Sequence, residues 1–131
     1  MDYKWNTYKI YESDEAWNLG KQELKDNIKV FESTYLSMIN SLEDFLRVTK
    51  LHILINELIE RVYCYPRRFL DLDIKDKKHK EMFDEALDIY SRILKLTSNY
   101  QDYVFENKRK IEGFLETKDA SFFRRYYEII F

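Results

Sequence analysis

"FDEALDIYSRILKLTSNYQDYV", residues 83–104, decides the fold class. Phe83, Ala86, Tyr90, Ile93, Thr97, Tyr100 and Val104 recur three and four residues apart, the period of one helix face, and Met82, Leu87 and Leu94 widen the stripe. Asp76 can cap this helix, which the spacing places over about residues 76–105. Ahead of it, the charged run "DLDIKDKKHK", residues 71–80, reads as a turn.

Further out lies "SLEDFLRVTKLHILINELIERVYCYPRRFLDLD", residues 41–73. Ser41 can cap, and Asp44 stands where a capping box wants an acid. The apolar face runs Phe45, Val48, Leu51, Ile55, Leu58, Val62, Tyr65, Phe69, Leu72, straight through Pro66. Proline has no amide to donate to the carbonyl of Val62 and crowds it, so one long helix kinked before Pro66 is expected. A first helix starts at Ser13 and covers about 13–32, with Trp17, Leu24, Ile28, Phe31 and Tyr35 at helical spacing. Residues 1–12 are an aromatic lead-in, and "STYLSMIN", residues 33–40, reads as a connection. Shorter helices are expected over 108–116 and 121–131. With 2 glycines and 1 proline in 131 residues there is little to build turns from. The expectation is a single all-α domain over residues 1–131. It is a bundle of about four to five helices, two of them long and antiparallel.

A net charge of −2 lacks the basic footprint of a nucleic-acid binder. No apolar window is long enough to span a bilayer, the N-terminus has no signal-peptide core, and the lone Cys64 suits a reducing compartment. These features point to a cytoplasmic protein without nucleic-acid or membrane partners.

The chemistry-bearing residues are few. His52 is followed by "ILIN" and His79 by "KEMF", so neither opens the H-E-x-x-H of a zinc peptidase. One Asp76-x-x-His79 is the nearest approach to a di-metal carboxylate bundle, which needs two such pairs. Asp71, Asp73 and Asp76 lack the Gly and Glu of a calcium loop and read as a solvated turn with a helix cap. Cys64 beside Tyr63 and Tyr65 reads as an inert helix cysteine. Arg67-Arg68 and Arg124-Arg125 lie among aromatics; such a pattern can bind single strands, but the acidic total favours packing over ring faces. No catalytic, cofactor-binding or metal residue is assigned.

Arg47 and His52, in "RVTKLH", resemble the R-x4-H motif of HEPN ribonucleases, small all-helical domains that dimerise around an RNA-cleaving site. The resemblance implies an arginine and histidine acting on the 2′-hydroxyl and the phosphate. The alternative is a surface arginine and a partly exposed histidine, because an i, i+5 pair diverges on a helix.

A longer resemblance starts at "YKWNTYKIYESDEAW", residues 3–17, in Tyr3, Trp5, Asn6, Ile10, Tyr11, Ser13, Asp14, Glu15 and Trp17. It continues through "LIERVYCYPRRFLDLDIKD", "HKEMFDEALDIYSRI" and "IEGFLETKDASFFRRYYEII". In this order the segments resemble the N-terminal helical region of oligoendopeptidase F, a thimet-oligopeptidase-like zinc metallopeptidase. Thr7 departs from the family's usual leucine, and the zinc motif is absent. The resemblance implies a non-catalytic helical domain forming one wall of an oligopeptide channel, with zinc held only by the complete enzyme. Its implied partners are the missing catalytic domain and the oligopeptides the enzyme receives. The apolar end "EIIF" is expected of a fragment, with self-association through exposed apolar surface; a freestanding interaction module is the third reading.

Overall fold

The computed structural model describes residues 11–128, which are all-α: among them are five α-helices and no strand. Helix α1 covers Asp14–Leu36, α2 Leu42–Leu72, α3 Lys77–Glu106, α4 Lys108–Leu115 and α5 Arg124–Glu128, with a 3-10 turn at Ser121–Phe123 before α5. The expectations on residues 1–10 and 129–131 lie outside the described residues.

Each of the first three helices starts at a side-chain cap. Ser13 accepts the Ala16 amide at 3.1 Å, Ser41 the Asp44 amide at 3.1 Å and Asp76 the His79 amide at 3.0 Å. The return arm of a capping box is shifted by one residue. Asp44, one methylene shorter than glutamate, accepts from the Asn40 amide at 3.4 Å instead of from Ser41.

Helix α1 outruns its expected end near residue 32. The Ser and Thr side chains that read as a loop instead bond back onto helix carbonyls: Thr34 to Val30 at 2.6 Å and Ser37 to Ser33 at 2.7 Å. The extra turn brings Tyr35 into the core, 5.4 Å ring to ring from Tyr100. The chain then breaks at Met38, whose φ of 74° is the left-handed conformation that usually takes glycine. Ile39 locks the corner, its amide donating to Tyr103 Oη at 2.9 Å and its carbonyl accepting from Lys110 at 2.8 Å.

Helix α2 packs along both α1 and α3. A helix flanked on two sides needs a wider apolar arc than a single stripe, and the structure supplies it. Thr49, His52, Ile59 and Pro66 join Phe45, Val48, Ile55, Leu58, Val62 and Tyr65 inside. Leu51 and Phe69 are only half-buried, and Leu72, at the last residue of the helix, is 87% exposed.

Helix α3 is rotated from the expected stripe. Its buried line is His79, Met82, Ala86, Ile89, Ile93, Leu96, Tyr100, Val104. Ala86, Ile93, Tyr100 and Val104 belong to both stripes, but Ile89 and Leu96 replace Tyr90 and Thr97. Leu87 and Leu94, expected to widen the stripe, stand 38% and 54% exposed. Phe83 is half-buried. As far as Tyr100 the seam follows alternating three- and four-residue steps, the path that keeps facing a neighbouring helix along its length.

Pro66 sits within α2 without breaking it. The carbonyl of Val62, deprived of its donor by the proline, accepts the indole Nε1–H of Trp17 at 2.8 Å. Trp17 is 1% exposed, so its N–H needs a partner, and the proline frees one. The start of α1 is also tied to the α2–α3 turn. Asp14 accepts from Tyr65 Oη at 2.7 Å and from Lys78 at 2.6 Å, and faces His79 Nε2 at 3.1 Å. The other ring nitrogen of His79 meets Asp76 at 2.6 Å, and Phe69 stacks on the imidazole at 3.8 Å.

Candidate functional site

Two adjoining concavities form a trough along the seam of α2 and α3. One, of about 380 Å³, is lined by Asn56, Ile59, Glu60, Tyr63 and Tyr90. The next, of about 350 Å³, is lined by His52, Asn56, Thr97, Tyr100, Gln101, Arg125 and Tyr126. Asn56 lines both, so the two meet at that side chain. Packing of two long helices sets this shape: Ile59 is buried at the seam, and longer polar and aromatic side chains stand as its banks. Tyr63 packs on Phe83 at 5.1 Å and on Tyr90 at 6.2 Å, which fixes one bank.

The other end is closed by a part-buried polar network. His52 Nδ1 meets Tyr126 Oη, and His52 Nε2 meets Thr97 Oγ1 at 2.9 Å. The Asn56 side-chain amide faces the same Tyr126 hydroxyl and counters part of the rise that burial gives it. Beneath it, Tyr127 Oη lies 2.7 Å from both Thr49 and Tyr100. Burial lowers the His52 pKa to about 4, so the ring is neutral at pH 7. Burial and the hydrogen bonds to Thr49 and Tyr100 leave the Tyr127 hydroxyl at about 12, and burial raises Tyr100 and Tyr126 as well. This network holds α5 against α2 and α3; none of its groups is poised to exchange a proton near neutrality.

The structure does not bring Arg47 and His52 together. Arg47 is exposed in a separate groove with Glu43, Leu46, Lys50, Leu51 and Leu54, whereas His52 is buried with both ring nitrogens partnered. The neighbouring arginines pack as ordinary side chains. Arg67 donates to Tyr63 Oη at 2.7 Å and lies 5.7 Å over its ring, and Arg124 donates to the Leu115 carbonyl at 3.3 Å. Burial pushes the half-buried Cys64 thiol up, away from nucleophilic activation. Asp73 accepts the Lys75 amide and Asp76 caps α3, as a turn and a cap should. Among the described residues no group of His, Cys, Asp and Glu could hold a metal ion, and no helix is long and apolar enough to cross a membrane.

The sequence reading placed Tyr90 inside and did not single out Asn56, Glu60 or Gln101. Their signal is weak: polar residues one turn apart beside an apolar stripe look the same whether they line a trough or face open water.

Comparison with known proteins places the chain among relatives of one kind. It is 25% identical over 134 residues to group B oligopeptidase PepB of Streptococcus agalactiae serotype III (strain NEM316), covering 98% of this chain and 22% of that protein. It is 24% identical over 98 residues to the plasmid oligoendopeptidase F of Lactococcus lactis subsp. cremoris, covering 74% and 16%, and 22% identical over 107 residues to the chromosomal one, covering 81% and 18%. The chain thus spans about a fifth of the length of the curated relatives it matches. No family model matches it, and no solved structure matches it significantly.

Proposed function

We infer that this chain, a relative of proteins named oligoendopeptidase F, serves as the N-terminal helical region of such a peptidase and forms one wall of its oligopeptide channel. The single observation that carries this reading is the pairing of 98% of this chain with 22% of the relative: a whole helical unit corresponds to a part of the enzyme. The trough supports it, since its tyrosine rings and side-chain amides suit contact with an extended peptide. The described residues do not fit a catalytic zinc. His52 is enclosed between Tyr126 and Thr97, and His79 faces a carboxylate on each nitrogen. On this reading zinc and bond cleavage belong to a catalytic domain that is the partner of this chain, in the cytoplasm. Leu72 and Ile74, 87% and 83% exposed and two residues apart in the chain at the α2–α3 turn, and Phe122, 82% exposed, are surfaces for docking it or for self-association.

Two measurements test this reading. The 15N-labelled chain titrated with an N-acetylated, C-amidated octapeptide is expected to shift the resonances of Asn56, Tyr63, Tyr90 and Gln101; shifts confined to the Arg47 groove, or none, contradict it. The chain alone is expected to show no zinc-dependent peptide hydrolysis, and measurable cleavage would remove the claim that it is non-catalytic.

A further inference from the structure

The two ends of the trough carry opposite charges. Glu60 stands at the Tyr63–Tyr90 end, and Arg125, contributed by α5, stands at the His52 end. Both are exposed, and among the described residues neither has an ion-pair partner. The nearby Arg67 is engaged with the Tyr63 hydroxyl and ring face and does not line the trough. Between the two charges lie the side-chain amides of Asn56 and Gln101, each with a donor and an acceptor, the complement of a peptide group. Tyr63 and Tyr90 supply ring surface for an apolar side chain.

The dimensions select a length. Glu60 and His52 are two helical turns apart on α2, about 12 Å at 1.5 Å per residue. Tyr90 and Gln101 are about 16 Å apart on α3 by the same rise. An extended chain advances about 3.3–3.6 Å per residue, so the trough spans about four residues.

We propose that the trough binds the two ends of a short peptide with fixed polarity, the amino terminus at Glu60 and the carboxylate at Arg125, so that peptides of about four residues with free termini are preferred. Arg125 presents a planar fork that matches a carboxylate, whereas Glu60 suits an ammonium group. This rests on the peptide-wall reading above and adds the direction, the length and the requirement for free ends.

The test uses the full chain and the tetrapeptide alanine-leucine-phenylalanine-alanine in four forms: free, N-acetylated, C-amidated and doubly capped. Affinity is read by titration of the 15N-labelled chain. The free form is expected to bind about three- to fivefold more tightly than either singly capped form, the range of an exposed ion pair. Arg125→Gln is expected to erase the difference between free acid and amide while leaving the acetylation effect, and Glu60→Gln the reverse. Both sites are exposed, so both variants keep the fold. If all four forms shift the trough residues equally, or if Arg125→Gln leaves the acid-to-amide ratio unchanged, the polarity is wrong while the peptide-wall reading stands. If no form shifts them, this proposal falls, and the peptide-wall reading falls with it only if the capped octapeptide shifts none of them either.

Discussion

The indole of Trp17 crosses from α1 to the carbonyl that Pro66 leaves without a donor. The two residues are therefore coupled although neither is next to the other in sequence. Trp17→Phe leaves the Val62 carbonyl buried and unpartnered, at a cost of about 1–3 kcal/mol, besides the lost ring volume. In a Pro66→Ala background the restored amide satisfies that carbonyl. The cost of Trp17→Phe should then fall by about 1 kcal/mol, read as a coupling energy from denaturant unfolding of the four proteins. Strict additivity would contradict the pairing. A second coupling joins Gly20 and Tyr11. A Cβ on Gly20 would stand 2.2 Å from the Tyr11 ring, so Gly20→Ala pushes that ring off α1. Elsewhere in a helix the same change stabilises by about 1 kcal/mol. Gly20→Ala should therefore destabilise the parent and stabilise a Tyr11→Ala variant; the same sign in both would show that Tyr11 does not seat there. Proline at residue 66 was legible as a continuous-helix anomaly from its preserved spacing. That the freed carbonyl goes to Trp17 was not legible, because the contact depends on how α1 and α2 cross.

At the scale of elements, the His52 network fastens α5 to the two long helices, and its strength should depend on pH. The folded His52 pKa lies near 4, below the ordinary 6.5, because burial disfavours the imidazolium. Between those values the unfolded chain binds the proton and the folded one does not. His52 therefore contributes stability that is present above pH 6.5 and is lost as pH falls toward 4, by roughly 2–3 kcal/mol. His52→Gln should flatten the slope of unfolding free energy against pH in that window; an unchanged slope would show that another group sets it. At lower pH the tie at the start of α1 gives way. Lys78, then Tyr65, hold Asp14 at about 2, below the ordinary carboxylate value, so its contribution is present above about pH 4 and disappears as pH falls through 2. The helices themselves were legible from period and caps, and Ser13, Ser41 and Asp76 all cap as their positions suggested. The rotation of α3 was not, because Ala86, Ile93, Tyr100 and Val104 fit two stripes and only the neighbouring helices choose between them. The end of α1 is not legible in the sequence for a local reason: serine and threonine bond as readily to a helix carbonyl as to a turn.

At the scale of the molecule, the chain is a helical unit whose own residues build a trough and hold no metal site among those described. The family resemblance was legible in the order of segments, and relatives named oligoendopeptidase F match along most of the chain. The trough was not legible, since it arises from side chains of α2, α3 and α5 that are far apart in sequence. The channel-wall role is tested most directly by exchange. This chain would replace the matching 134-residue stretch of the Streptococcus agalactiae oligopeptidase. Hydrolysis of an unfolded oligopeptide and of a folded protein would then be measured on the chimera. The role predicts cleavage of the oligopeptide alone, weakened when Tyr63 and Tyr90 are both changed to alanine. A folded chimera that cleaves no oligopeptide, or cleaves equally well with both tyrosines removed, would contradict it.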